Sequence, residues 1–324
     1  MSKNRNKPET DKSVKILLII TAILALLYAL SFTKSCSSAD RREKIKTALV
    51  NQKYRNNISF ITLQDATGIL ELNNYKGFWT LQRLSDYTSS QFQDVPSIPV
   101  SQERINNFLN ELTTIRNLYK ISDKINKNSS LGLTNGTEFH ISYSIPDSNG
   151  EDTGSFRELI FGNQDFSLSS RYMMTGENTQ VYEIDDSMDV YLTTSIQSWA
   201  EPYIISRQAG STDIQQISVL QKTTSNQNKI GKIENKEKLL ELRHGGLPEL
   251  SELTQILNEK PQTELDIQNG NKSRILLEIY KTPGQEGSYI IKAQYFTSGS
   301  DSAFYTAWMK ISTWTYNKIM EITL

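Results

Sequence analysis

Three kinds of hydrophobic pattern succeed one another along the chain. The first is an unbroken apolar run, VKILLIITAILALLYALSFT from Val14 to Thr33, with no charge between Ile16 and Thr33. Eighteen helical residues rise roughly 27 Å, close to the hydrocarbon thickness of a bilayer. Lys15 and Lys34 stand at the two ends, where their ammonium groups can reach the headgroups. A cleaved signal peptide is one alternative, but its apolar stretch is usually shorter and ends in small residues. This run ends in Ser31-Phe32-Thr33-Lys34-Ser35, and it reads as an uncleaved transmembrane anchor over 16–33. Lipid modification at Cys36 is a second alternative, although Thr33-Lys34-Ser35 lacks the usual leucine and sets a lysine beside the site.

The second pattern is strand-like. Ile58–Leu63 and Ile69–Leu72 flank Gln64-Asp65-Ala66-Thr67-Gly68 and predict a hairpin, continued by Phe78–Leu81. Glu138–Ile145 and Phe156–Phe161 flank the turn residues of Pro146–Gly150, and Arg171–Met174 and Val181–Ile184 flank Thr175–Asn178. Further on, Ile214–Val219, Arg274–Tyr280, Tyr289–Phe296 and Phe304–Ile311 read as strands. Asp94–Pro99 carries two prolines and reads as a break.

The third pattern is helical. Ser101 is a good N-cap, followed by Ile105, Phe108, Leu109, Leu112 and Ile115 at helical spacing. Asp185 or Asp186 would cap a helix bearing Met188, Tyr191, Leu192, Ile196 and Trp199. Lys236–Asn258 reads as two helices broken at His244-Gly245-Gly246, and Ser312 or Thr313 caps a last helix. Val181–Asp186 and Trp308–Thr313 share one pattern of strand, cap and helix, and the preceding hairpins match in order. The expected fold is therefore α+β: mainly antiparallel sheets with packed helices, arranged as a duplicated unit. In that unit Ile184 and Ile311 point into their own cores, while Glu183 and Lys310 face solvent. The expected divisions are a cytoplasmic tail over 1–15, the anchor, a stalk over 34–56, a first repeat over 57–208 and a second over 209–324.

Composition narrows the roles. The 324 residues carry 35 basic and 36 acidic side chains, for a net charge of -1. That balance leaves no basic face for nucleic acid. With one cysteine the chain forms no internal disulfide and no cysteine-based zinc site. Basic residues are in equal excess before and after the apolar run, so flanking charge does not decide its orientation. A short charged tail before a first apolar segment favours export of the long C-terminal part across the cytoplasmic membrane, into the periplasm.

Candidate chemistry is sparse. Glu183, Asp185, Asp186 and Asp189 are the one dense acidic cluster, but the spacing fits no EF-hand and caps explain two of them. His140 alternates with Phe139 and Ile141 on a sheet face. His244-Gly245-Gly246 suits a helix C-terminus, where a histidine meets the negative end of the dipole. No G-x-S-x-G elbow, phosphate loop or dinucleotide fingerprint occurs. Catalytic, cofactor and metal residues are therefore not expected, and the chain does not read as an enzyme. Trp308, Trp314 and Tyr316 are candidates for an aromatic ligand groove.

From Ile58 to Trp199 the chain resembles a family of bacterial envelope proteins known as domain of unknown function 4340. The resemblance rests on the order of Gly77-Phe78-Trp79-Thr80-Leu81, the helix from Ser101, Leu131-Gly132-Leu133, Leu159-Ile160-Phe161-Gly162, Ser170-Arg171-Tyr172 and Val181-Tyr182. Residues 210–324 match it less clearly. The resemblance implies an N-terminally anchored extracytoplasmic protein, accessory to membrane partners such as a gliding-motility-type ABC transporter. The alternative is an extracytoplasmic binding module for a glycan, lipid or peptide. The two differ in surface: a partner face is a broad apolar patch, a ligand site a concave pocket.

Arginine at both Leu24 and Leu26 is expected to abolish membrane retention, since each central arginine costs about 2.5–3.5 kcal/mol on insertion scales. Fractionation of cells into membrane and soluble proteins reads this directly. Release by Cys36→Ser alone would show the lipid-anchored alternative to be correct.

Overall fold

The computed structural model describes residues 19–25, 28, 43–75, 77–84, 96–124, 130–134, 138–145, 155–176, 179–209, 213–221, 228–230, 236–284 and 287–323. Of the expected anchor, residues 19–25 and 28 are helical, with Ile19, Ile20, Ile23, Leu24 and Tyr28 exposed. Among the described residues no helix is long and apolar enough to cross a membrane. The rest of 16–33, the tail over 1–15 and Cys36 lie outside the described residues.

Period-two alternation builds two antiparallel sheets. The first holds β1 (Lys44–Thr47), β2 (Phe60–Asp65), β3 (Gly68–Tyr75), β4 (Phe78–Arg83), β5 (Ile98–Pro99), β6 (Arg116–Ser122), β7 (Phe139–Ile145), β8 (Ser155–Gln164), β9 (Ser170–Thr175) and β10 (Val181–Asp185). The second holds β11 (Ile214–Gln221), β12 (Asn228–Ile230), β13 (Thr263–Asn269), β14 (Arg274–Lys281), β15 (Ser288–Phe296) and β16 (Tyr305–Ser312). The first sheet runs β1-β6-β10-β9-β8-β7-β2-β3-β4-β5 and the second β12-β11-β13-β14-β15-β16. Helices α1 (Gln102–Thr113), α2 (Ile196–Trp199), α3 (Lys236–Leu240), α4 (Leu250–Ile256) and α5 (Thr313–Thr323) complete the fold.

Both sheets contain the same six-strand order. In each, a hairpin (β2–β3, β11–β12) gives its first strand to a four-strand meander (β7–β10, β13–β16), and the meander runs into a helical segment. The ends of β10 and β16 are thus equivalent: Asp185 accepts from the Ser187 N–H at 3.2 Å, and Ser312 accepts from the Thr315 N–H at 3.2 Å. The counterpart of β7 is β13, which is not among the expected strands, so the expected match of the preceding hairpins is one strand out of step. The first sheet adds β4 and β5 beyond β3, and β6 and β1 beyond β10.

Three local expectations are corrected. Of the expected stalk, residues 43–56 are part of the fold, and 34–42 lie outside the described residues: β1 pairs with β6, and Val50, buried, donates to the Leu112 carbonyl at 2.8 Å. The helix after Asp185 is instead a 3-10 turn over Asp186–Tyr191, then α2 after Thr193-Thr194-Ser195, where β-branched and hydroxyl side chains disfavour a continuous helix. Ile115 falls outside α1, which ends at Thr113, and is exposed.

The second sheet is covered on two faces. Ile275, Leu277, Ile279, Ile291, Ala293 and Met309 belong to one connected core that also takes in α1, α5 and the inner face of the first sheet. On the opposite face Tyr280 and Ile290 pack on Leu253 and Ile256 of α4. The sheets therefore share a core and do not each close their own. They also meet edge to edge: the Trp308 N–H donates to the Ser97 carbonyl, just before β5, at 3.2 Å. The connector from Trp199 to Gln208 is bonded on two sides. Ser101 donates to Trp199 and Glu201 to Pro99, while Ile204 donates to Leu242 and His244 to Pro202, at 2.8–3.0 Å.

Ile184→Ala and Ile311→Ala should each cost about 2–5 kcal/mol in denaturant unfolding, because both side chains are buried at 1% and 3% exposure. Lys310, expected to face solvent, holds the Glu252 carboxylate at 2.6 Å, and Glu252 is 1% exposed. Lys310→Ala should thus lose about 1–3 kcal/mol by leaving that carboxylate unpaired. A midpoint equal to wild type would refute this pairing.

Candidate functional site: a cleft between the two sheets

A main chain that crosses a protein interior must find partners for its N–H and C=O groups. The connector does so with main chain where it can and side chains where it cannot. Glu201, buried at 5% exposure, accepts from the Ser206 hydroxyl at 2.6 Å and the Arg207 N–H at 2.7 Å. Burial raises its pKa, and those two hydrogen bonds offset part of the rise. Gln208 then takes the place of a strand at the edge of β4. Its Oε1 accepts from the Trp79 N–H at 2.8 Å, and its Nε2 donates to the Trp79 carbonyl at 3.0 Å and to the Val100 carbonyl.

His244 closes the connector from the other side. Nδ1 accepts from the Gly246 N–H at 3.0 Å, so the proton of the neutral ring lies on Nε2, which donates to the Glu201 carbonyl at 2.6 Å. Burial lowers its pKa, and the Glu201 bond offsets part of that shift. The helix-end reading of His244 is corrected: α3 stops at Leu240, and the ring is a neutral clamp between loops.

Beyond the connector the two sheets leave a cleft of about 590 Å³, within the range typical of ligand pockets. Phe78 of β4 and Ile275 and Tyr295 of the second sheet make its buried floor. Phe78 lies 4.9–5.9 Å from the rings of Tyr295, Phe304 and Tyr305, so aromatic packing joins the sheets. The Tyr295 hydroxyl accepts from the Ser206 N–H at 3.2 Å, and burial keeps it protonated far above the usual tyrosine range. Phe296 and Phe304 form walls; Asn271, Ser273, Thr297 and Ser298 stand around them, with Tyr75 and Gly77 across the gap. Gly77 has φ +91, a conformation that lets the β3–β4 turn reverse at the rim without side-chain strain.

The residues named from sequence lie elsewhere. Trp308 packs on the α4 side of the second sheet, 6.5 Å from Tyr280. Tyr316 is buried in the core, stacked on Tyr289 at 4.3 Å. Trp314 is 65% exposed on α5 and borders a concavity of about 400 Å³ among Lys238, Glu241, Lys318 and Glu321. The three therefore share no groove, because strand alternation and the helix turn send them to different faces. The acidic cluster also separates: Glu183 accepts from Ser170, Asp185 caps and pairs Arg116, and Asp189 pairs Arg171 at 2.6 Å. Among the described residues no group of three or more His, Cys, Asp or Glu could hold a metal ion. His140 stands on a sheet face with Nδ1 2.6 Å from Glu158. The cleft residues gave no sequence signal beyond the aromatics of Phe78, Tyr295, Phe296 and Phe304, which read equally well as sheet packing.

Residues 79–282 match the family model described as Domain of unknown function (DUF4340), and the chain belongs to that family. The match begins at β4, crosses the connector and ends after β14, so it reaches further into the second sheet than the motifs suggested. No curated protein and no solved structure matches the chain.

Gln208→Ala should destabilise by about 1–3 kcal/mol, since it strips partners from buried main chain. The connector also sets a pH dependence. His244, held neutral, contributes stability that is present above about pH 6.5, the ordinary value, and is lost as pH falls through its lowered folded pKa. Glu201 acts with the opposite sign: its contribution is present below about pH 4.3 and is lost as pH rises through its raised folded pKa. Denaturant midpoints measured from about pH 4 to 8 should show a shallower acid-side decline in His244→Gln than in wild type. An unchanged decline would remove His244 from this role.

Proposed function

We propose that this member of the domain of unknown function 4340 family is a membrane-anchored, non-enzymatic extracytoplasmic binding module. An apolar segment over 16–33 holds it in the cytoplasmic membrane, and a duplicated α+β unit in the periplasm forms the cleft between its two sheets. The observation that carries this reading is that cleft, concave and floored by Phe78, Ile275 and Tyr295. It suits a glycan, a lipid or a peptide. Exposed large apolar side chains elsewhere stand on separate elements, Leu257 just after α4 and Trp314 on α5.

A second reading, as an accessory or scaffold to membrane partners such as an ABC-type transporter, is favoured by one feature. The β8–β9 turn presents Phe166, fully exposed, and Leu168, 66% exposed at φ 58. Asp165 holds that turn with bonds from the Ser169 and Ser170 N–H groups and the Ser167 hydroxyl. A stiff turn with two apolar side chains fits a groove on another protein.

A reporter active only outside the cytoplasm, fused after Leu324, should be active; activity of a cytoplasmic reporter there would overturn the orientation. In-membrane crosslinking then separates the readings. Phe166→Asp with Leu168→Asp should leave ligand binding intact under the first, and should abolish capture of a membrane partner under the second.

A further inference from the structure

The chemistry around the cleft is more selective than its volume. Its floor and walls are aromatic, and Phe304 stands edge-on to Phe78 at 89° and 5.7 Å. Its rim is uncharged and hydrogen-bonding: Asn271, Thr297 and Ser298 are exposed, on turns that join neighbouring strands of the second sheet. Arg274 is the one charged side chain among the described residues that line it. Its Nε is 2.8 Å from the Asp266 carboxylate, and its guanidinium lies 5.0 Å from the centre of the Phe296 ring. That charge is balanced, and the lining holds no carboxylate.

These features weigh against two of the three ligand classes. An extended peptide binds by adding a strand to an open sheet edge. Here β14 is paired with β13 and β15, and β15 with β14 and β16. The Trp79 N–H and carbonyl, at the nearest edge of β4, are taken by Gln208. An acyl chain gains from apolar wall along its whole length, and here amide and hydroxyl groups interrupt that wall. A lipid phosphate or fatty-acid carboxylate would need an unbalanced cation, and Arg274 is already paired. A sugar ring has an apolar C–H face that lies on an aromatic ring, and hydroxyls at its edge for short amide and hydroxyl side chains.

We infer that the cleft binds a short neutral saccharide, with ring faces against Phe304 and Tyr75 and hydroxyls toward Asn271, Thr297 and Ser298. This inference rests on the reading of the cleft as a ligand site. The test uses the full chain in lipid nanodiscs, titrated calorimetrically with chitotetraose and maltotetraose, and separately with decanoate and tetra-alanine. At least one of the two saccharides should bind. Ser298→Trp, which fills the cleft from an exposed position, should abolish that binding with an unchanged melting temperature. Tyr75→Ala should weaken it about tenfold, as loss of one contact aromatic does. Saccharide binding that ignores both variants would overturn the inference. If decanoate or tetra-alanine binds instead and Ser298→Trp blocks it, the saccharide class is wrong and the cleft reading stands. If none of the four probes binds, both fail.

Discussion

The connector from Trp199 to Gln208 is the constraint on which the arrangement depends. It runs between the Pro99–Ser101 segment and the Leu242–His244 segment, and each side supplies partners for its main chain. A buried peptide group without a partner costs more than the net worth of the bond it lacks. The two sheets therefore have little freedom to separate without exposing the connector and breaking its bonds. Glu201, Gln208 and His244 complete this seam where main chain alone does not reach. The cleft follows from the seam, because Phe78 and Tyr295 meet across it only while the connector is closed.

The added strands explain why the sheets meet where they do. Edge strands expose unpaired main chain and invite association with other chains. In the second sheet, β16 has its outer edge covered: Trp308 donates to Ser97, Lys310 donates to Gly246, and Gly245 donates to Lys310. In the first sheet, β4 is extended by the two-residue β5, which ends in Pro99, a residue with no N–H to offer. A hairpin-plus-meander core shared by the two sheets thus becomes asymmetric at its edges. The asymmetry leaves the end of β4 facing the turns of the second sheet, with a gap between them.

The same sheets leave the cleft one charged side chain among its described lining, Arg274, and pair it with Asp266. Charged side chains are paired locally: Lys310 with the buried Glu252, the buried Arg116 with Glu111 and Asp185, and Arg171 with Asp189. Such pairs contribute register and orientation more than net stability. Apart from the paired Arg274, the cleft is left with aromatic rings, amides and hydroxyls, and this balance separates the ligand classes proposed for it.

Local order was legible in the sequence. The β2–β3 hairpin, the meander strands other than β13, α1 with its Ser101 cap, and the uncharged run over 16–33 all rest on spacing, turn chemistry or capping within a few residues. Five strands were not seen: β1, β5, β6, β12 and β13. In β13, Thr263, Leu265 and Ile267 point inward and Glu264, Asp266 and Gln268 outward; the alternation is clear, but acidic and amide residues are rare in strands and masked it. In β6 the alternation fades after Leu118, because the strand lies between partners with different exposure. Missing β13 put the comparison of the two halves one strand out of step. The sequence by itself determined most of the elements, the apolar run and the pattern common to the two halves, since each depends on neighbours along the chain. Only the tertiary structure decided that Trp308, Trp314 and Tyr316 part company, that the halves share one core, and that Phe78 meets Tyr295. Those outcomes depend on which face each strand buries and on where the connector is held, and contacts between residues more than two hundred positions apart leave no local pattern.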